Sequence, residues 1–258
     1  SNLFAPKAPA GKDTVLEVQG LHVPGLVHDV SFTLKRGEVL GFAGLVGSGR
    51  TELMEGIVGL RRTTGQVRVL GKPLKPGSVL AAREAGLVYL TEDRKEKGLL
   101  LGKNLRENLT LLALDRFTRI RIDTAAEEAA LTHAIAEFDI RAGDRNMTAG
   151  KLSGGNQQKL LLAKTMLAGP DIVIIDEPTR GIDIGTKQQI YGFIRQLAAT
   201  GKSVIVVSSE LPEVIGLAGR VIVMASGRIA GEVAGDDITE GRIVRLAMGM
   251  SDRKAKTP

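Results

Sequence analysis

Apolar and polar positions recur with two different periods along the chain. Val15, Leu16 and Val18 open a strand-like stretch at Thr14. Val27–Leu34 alternates before closing on the turn signal Lys35-Arg36-Gly37. Val39–Ala43 is a short apolar run leading directly into glycines, and Gln66–Leu70 and Gly86–Leu90 read as further strands. From about Asn104 to Leu167 the period turns helical. Within that stretch Thr124-Ala-Ala-Glu127 has the form of a capping box, in which a Thr hydroxyl and a Glu carboxylate satisfy the orphan amides of a helix start. The helix that follows counts Ala130, Ile135 and Phe138 among its apolar positions. Strand and helix then alternate: strand Ile172–Ile175, helix Ile184–Thr200, strand Val204–Val207, helix Leu211–Leu217, strand Val221–Met224. This order predicts a largely parallel sheet covered by helices, one α/β core carrying a helical insertion.

Composition limits the function classes. Of 258 residues 43% are hydrophobic and 25% charged, the balance of a globular chain rather than a disordered one. The longest apolar runs fall far short of the roughly 20 residues of a membrane-spanning helix, and Ser1–Gly11 lacks the apolar segment of a secretory signal. Cysteine is absent, so neither disulfides nor thiolate metal sites can form. The net charge of +6 invites a nucleic-acid partner, yet part of the excess sits in the terminal run at Arg253, Lys254 and Lys256. With six Phe, two Tyr and no Trp, the stacking platforms of single-strand binders are hard to build. No nucleic acid is expected.

Three stretches carry chemistry. Gly44-Leu-Val-Gly47-Ser48-Gly49-Arg50-Thr51 follows a strand and opens a helix whose apolar face includes Leu53, Ile57 and Leu60. That is the setting of a phosphate-binding P-loop: glycines let successive N–H groups turn inward, and the helix N-terminus adds positive potential. Thr51 can offer a hydroxyl to Mg²⁺. A Gly-rich turn without ligand is the plain alternative, and a dinucleotide fingerprint is weaker because Glu52 stands where its third glycine belongs. Ile172–Ile175 ends in Asp176-Glu177, where one carboxylate can hold Mg²⁺ through water and the next can take a proton from attacking water. In Leu152-Ser153-Gly154-Gly155-Asn156-Gln157, Ser153 is placed to cap a helix whose glycines leave its N-terminus open to phosphate; alone, this is equally an ordinary capped helix.

In this order the three stretches resemble the nucleotide-binding domain of ABC transporters. The P-loop resembles Walker A, Leu152–Gln157 the family signature, Ile172–Glu177 Walker B, and Pro178–Asp183 the D-loop. Leu152–Lys159, Thr91–Lys95 and Val207–Glu213 resemble the C-terminal half of the tandem ATP-binding subunit of bacterial monosaccharide importers, those for ribose, galactose, xylose and arabinose. The resemblance implies a P-loop NTPase core, a mostly parallel sheet with an antiparallel β subdomain, plus a helical subdomain over about 93–168. It covers 14–248, leaving 1–13 as a linker and 249–258 as a basic tail. It implies ATP and Mg²⁺ as ligands: Gly44, Gly47, Ser48, Gly49, Arg50, Thr51, Glu92, Ser153, Gly154, Gly155, Asn156, Gln157, Asp183 and Ser209 for nucleotide, Thr51 and Asp176 for the metal, Glu177 for catalysis. The implied partners are an N-terminal ABC domain of the same polypeptide, transmembrane permease subunits contacted near Glu92–Asn108 and, indirectly, a periplasmic sugar-binding protein. The implied place is the cytoplasmic face of the bacterial inner membrane.

Four positions depart from the family pattern. Arg50 stands for the Walker lysine, and a forked guanidinium is no copy of a compact ammonium. Glu92 replaces a neutral glutamine. Ser209 takes the place of a histidine, and His22, His28 and His133 all precede Asp176. No aromatic lies between Thr14 and Ser31 to stack on adenine, leaving Val23 or Pro24 as apolar contacts. The departures fall on the Walker face while the signature helix is nearly intact. The expectation is an asymmetric pair, in which this domain lends its signature to a competent partner site and turns over slowly at its own. A regulatory pseudo-ATPase module, a nucleoside importer's ATPase and a DNA- or ribosome-associated ABC protein are the alternatives.

Overall fold

The computed structural model describes residues 7, 10–91, 99–117 and 122–250. In chain order the elements are β1 (Thr14–Val23), β2 (Val27–Lys35), β3 (Val39–Gly44), α1 (Arg50–Ile57), β4 (Thr64–Val69), β5 (Lys72–Pro73), α2 (Val79–Glu84) and β6 (Leu87–Leu90). They continue as α3 (Leu105–Thr110), α4 (Thr124–Glu137), α5 (Gly154–Leu167), β7 (Ile172–Asp176), α6 (Ile184–Ala199), β8 (Ser203–Val207), α7 (Leu211–Leu217), β9 (Arg220–Ala225), β10 (Arg228–Ala234) and α8 (Glu240–Ala247). Contacts group the chain into two units: Ser1–Tyr89 with Asp171–Glu177 and Ile194–Pro258, and Leu90–Pro170 with Pro178–Phe193.

The first unit holds two sheets. An antiparallel sheet has the order β2-β1-β4-β5, and a second has the order β10-β9-β3-β8-β7-β6. Strands β9, β3, β8 and β7 run parallel, and β10 turns back antiparallel on β9. Along β2 every second side chain is buried through Val30, Phe32 and Leu34, the signature of a sheet with one wet face. Strands β7 and β8 are buried at every position, as strands covered on both faces must be. One core gathers Leu16, Val18, Phe32 and Leu34 with Phe42, Ile174, Leu53 and Ile57, and Phe32 meets Phe42 edge-on at 5.1 Å. A second core lies on the other side of β3, where Val221 and Val223 meet Val214, Ala218, Ile243 and Leu246. Gly41 lets α7 approach: a Cβ there would stand 2.5 Å from Val214 Cγ1. Two positions differ from the sequence expectation. Leu60 lies beyond the end of α1 and is exposed, because the helix stops at a turn through Gly59 in the left-handed region. Leu70 leaves β4 for a turn at φ 50°.

In the second unit the capping box is real but stands elsewhere. Asn104 caps α3: its Oδ1 accepts from Glu107 N–H at 2.9 Å, and the Glu107 carboxylate accepts from Asn104 N–H at 3.1 Å. Helix α4 is capped by Asp123, which accepts from Ala126 N–H at 2.9 Å; Thr124 is already the first helical residue. Glu127 is thereby freed from capping. It lies buried and accepts from Thr110 Oγ1 at 2.6 Å. The buried face of α4 is Leu131 and Ala134 with Phe138 at its end, and Ala130 and Ile135 are half-buried. Phe138 packs on Phe193 at 4.9 Å.

Candidate functional site

Because β3, β8 and β7 are parallel neighbours, their C-terminal ends open side by side. Such a rim is where open α/β sheets bind ligands. It carries the loop 44–49 after β3, Ser208 and Ser209 after β8, and Asp176-Glu177 at the end of β7.

The loop after β3 is built on glycine conformations. Gly47 has φ 78° and Gly49 φ 91°, left-handed values that other residues adopt at a cost. Gly49 is doubly required, since a Cβ there would stand 2.9 Å from the Leu26 carbonyl oxygen, and one on Gly44 would stand 2.7 Å from Ser48 Oγ. The loop is braced from behind: Gly227 N–H donates to the Ser48 carbonyl at 2.9 Å, and His28 N–H donates to the Gly227 carbonyl at 2.8 Å. Gly49 sits at the N-cap of α1 with no side chain capping it, so first-turn amides are left for an outside acceptor. Ser48 Oγ is buried without a hydrogen-bond partner among the described residues. Val46, at the loop tip, is 96% exposed.

Two carboxylates face this loop. Asp176 is 2% exposed, and its Oδ2 accepts from Thr51 Oγ1 and from the Tyr89 hydroxyl, each at 2.8 Å. Its Oδ1 is buried with no partner among the described residues. Burial pushes the Asp176 carboxyl up to about 6, against the opposing pull of those two donors and of Arg50. Burial likewise raises Glu177, whose backbone is strained at φ 49°. Ser209 grips that side chain twice, its N–H donating to Oε1 at 2.7 Å and its hydroxyl to Oε2 at 3.1 Å. Arg50 is buried and donates from Nη1 to the Ser208 carbonyl at 2.6 Å. Burial lowers the guanidinium's pKa, while Glu177 and Asp176 pull it back up.

Gly44, Gly47, Ser48, Gly49, Arg50, Thr51, Asp176, Glu177 and Ser209 thus share one rim of the first unit. The remaining candidates, Glu92 apart, are described in the second unit. Ser153 caps α5 by accepting from Asn156 N–H, and Asn156 Nδ2 donates to the Ser153 hydroxyl at 2.9 Å. Gln157 is turned inward, donating to the Leu152 carbonyl at 3.1 Å. Gly154 is half-buried, and Gly155 lies where a Cβ would stand 2.7 Å from Thr186 Cγ2. Asp183 caps α6, accepting from Thr186 N–H at 3.0 Å and from its hydroxyl at 2.8 Å. Glu92, the rest of 92–97 and residues 251–258 of the basic tail lie outside the described residues. Val23 is buried in the core and unavailable to a ligand; Pro24 beside it is exposed.

Sequence reasoning missed Tyr89 and Ser208. Tyr89 left a signal, a hydroxylated aromatic within a short apolar strand in a chain with only two tyrosines. Ser208 left none, since it acts through its carbonyl.

The residues present fit a metal–nucleotide pair. An orphaned hydroxyl, uncapped amides and a guanidinium suit phosphate, and an orphaned carboxylate oxygen beside the Thr51 hydroxyl suits a hard cation. Among the described residues no group of three or more His, Cys, Asp or Glu side chains could hold a metal, so such a cation would complete its shell with phosphate oxygens and water.

Both sheets, the strand-to-helix loop and the flanking helices make this a P-loop NTPase fold of the α/β class. Residues 27–180 match the family described as ABC transporter, and the chain belongs to that family. It is 42% identical to the ribose import ATP-binding protein RbsA of Clostridium perfringens over 93% of this chain and 48% of that protein. It is 44% identical to ribose import ATP-binding protein RbsA 2 of Rhizobium meliloti over 97% and 50%. The chain therefore spans about half the length of the curated relatives it matches. Among solved structures, an ATP-binding cassette of an ABC transporter superposes with a TM-score of 0.78 at 18% identity, over 91% of this chain and 99% of that one. A dimeric cassette in a post-hydrolysis state bound to ADP and Pi gives 0.73 at 20% identity, over 85% and 98%. These likenesses concern the fold. No helix among the described residues is long and apolar enough to cross a membrane.

Proposed function

We propose that this chain is the C-terminal ATP-binding half of a monosaccharide importer's tandem energy-coupling subunit, ribose being the sugar its relatives' names favour. The observation that carries the reading is the convergence of Thr51, Asp176, Arg50 and Glu177 on one strand-end rim beside an uncapped helix. The triphosphate is held by the amides of 47–51, by Ser48 Oγ and by Arg50. Thr51 Oγ1 and, through water, Asp176 would hold Mg²⁺, which would supply neutralisation of phosphate charge. Glu177 orients the attacking water and takes its proton on a carboxylate oxygen that Ser209 has fixed. Burial raises its pKa toward the working pH, which suits a general base.

The asymmetric form of the reading assigns Ser153, Gly154 and Gly155 to the site of the N-terminal half, and Asp183 to the interface between the halves. Its own site binds nucleotide and turns over slowly, since losing one preorganised contact to the transferring phosphoryl group costs about 3–4 kcal/mol. Permease subunits take up the coupling near Glu92–Asn108 at the inner face of the membrane, and a periplasmic binding protein delivers the sugar. The pseudo-ATPase reading draws support from Arg50 being spent on the Ser208 carbonyl and Glu177 being gripped at both oxygens. Residual turnover once the N-terminal half's own catalytic carboxylate is removed separates the two, slow in the asymmetric reading and absent in the pseudo-ATPase one; turnover in the full tandem polypeptide tests the asymmetry they share. Gly154→Asp should abolish most ATP hydrolysis while Glu177→Gln leaves most of it. The reverse pattern would overturn the asymmetry, and no ATP uptake by the tandem protein would overturn the function.

A further inference from the structure

Tyr89 has a half-buried ring packed on the first core and a hydroxyl that reaches the end of the neighbouring strand. A phenylalanine would serve the packing alone, and a hydroxyl brought this deep needs a partner. Its partner is Asp176 Oδ2, at 2.8 Å. Thr51 donates to that same oxygen, also at 2.8 Å, from a different element. Two donors on one carboxylate oxygen, one from α1 and one from β6, fix the rotation of the carboxylate about its Cβ–Cγ bond. All the remaining acceptor capacity then falls on Oδ1, which is buried and unpaired among the described residues.

Resting on the nucleotide reading above, we propose that Tyr89 is a positioning residue for the divalent cation: it locks Asp176 so that Oδ1 is presented to the cation's water shell. Thr51 supplies only one of the two donors, and its hydroxyl oxygen is itself a cation ligand in that reading, so Tyr89 is the donor to Asp176 that stands outside the cation's own shell. Tyr89 touches neither nucleotide nor metal. It acts as the outer partner that orients a ligating carboxylate, and loss of such partners commonly weakens metal affinity about 10–100-fold.

The test is calorimetric titration of ATP into the wild-type chain, Tyr89→Phe and Val88→Ala, in EDTA and at stepped MgCl₂ concentrations. Tyr89→Phe is expected to match wild type within about twofold in EDTA, yet to need about tenfold more Mg²⁺ for the same tightening of ATP. Val88→Ala, which alters packing on the same strand and keeps the phenol, should follow the wild-type Mg²⁺ curve. A Tyr89→Phe curve superimposed on wild type overturns the proposal, as does an affinity loss equal with and without Mg²⁺. A variant that loses its cooperative melt also counts against it, because the hydroxyl would then be holding the fold. Failure of the wild type to bind ATP under any condition is a different result: it removes the nucleotide reading, and this inference with it.

Discussion

Replacing Asp176 by asparagine should make the nucleotide-free domain more stable. The carboxyl sits 2% exposed at the end of β7, with one oxygen unpaired, and burial pushes it up to about 6. In the unfolded chain an aspartate titrates near 3.9. A folded pKa above the unfolded one means that ionisation opposes folding. The penalty is full above pH 6, shrinks between about 6 and 4, and vanishes below the unfolded value. The separation corresponds to about 3 kcal/mol at pH 7.5 and about half of that at pH 5. Asparagine keeps the shape, still accepts from Thr51 and Tyr89 through its carbonyl, and carries no charge. Asp176→Asn should therefore raise the melting temperature in EDTA by about 6–12 °C at pH 7.5, taking roughly 2–4 °C per kcal/mol for a chain of this size. Thermal denaturation followed by circular dichroism at pH 7.5 and pH 5 measures both. A variant no more stable than wild type at pH 7.5 would refute the reasoning. So would a gain of equal size at both values, because the effect would then not be electrostatic.

Three further outcomes are expected. Gly49→Ala must meet both the φ of 91° and the Leu26 carbonyl, so it should lose at least 2 kcal/mol of stability, whereas Gly47→Ala meets open space and should lose about 1 kcal/mol from its backbone alone; urea denaturation of the pair tests the difference. Asp123→Ala should cost about 1 kcal/mol by removing the cap of α4, and Thr124→Ala close to nothing, again read from urea midpoints. Ser209→Ala removes the bond to Glu177 Oε2 and keeps the backbone bond to Oε1. Under the asymmetric reading, ATP turnover of the tandem protein should fall less than twofold; a collapse would mean that this half carries the chemistry.

The strands were legible in the chain because their burial is written in composition: Ile172–Ile175 and Val204–Val207 have no polar position to place. Caps were less so. Thr124 and Asp123 are both competent caps one residue apart; Asp123 takes the cap, and Glu127 pairs instead with Thr110 at the end of α3, a contact that no local pattern predicts. The loop 44–51 could be read because glycine reports backbone conformation directly. Its neighbours Ser208 and Tyr89 could not be tied to the site, although Tyr89 stands out as one of two tyrosines. One acts through a carbonyl that every residue possesses, the other through a strand order that no local pattern encodes. Val23 shows the opposite error: an apolar residue offered as a ligand contact turned out to be needed inside.

The brace behind the loop has a consequence for how variants of this protein will be sorted. Gly227, at φ 74° in the turn between β9 and β10, would bring a Cβ within 2.2 Å of the Leu26 carbonyl, while its N–H holds Ser48. Any side chain there must push the hairpin off the loop it supports. A residue that meets no ligand would then score in a binding screen as though it did, and a map of such hits would place the site's border well inside the antiparallel edge.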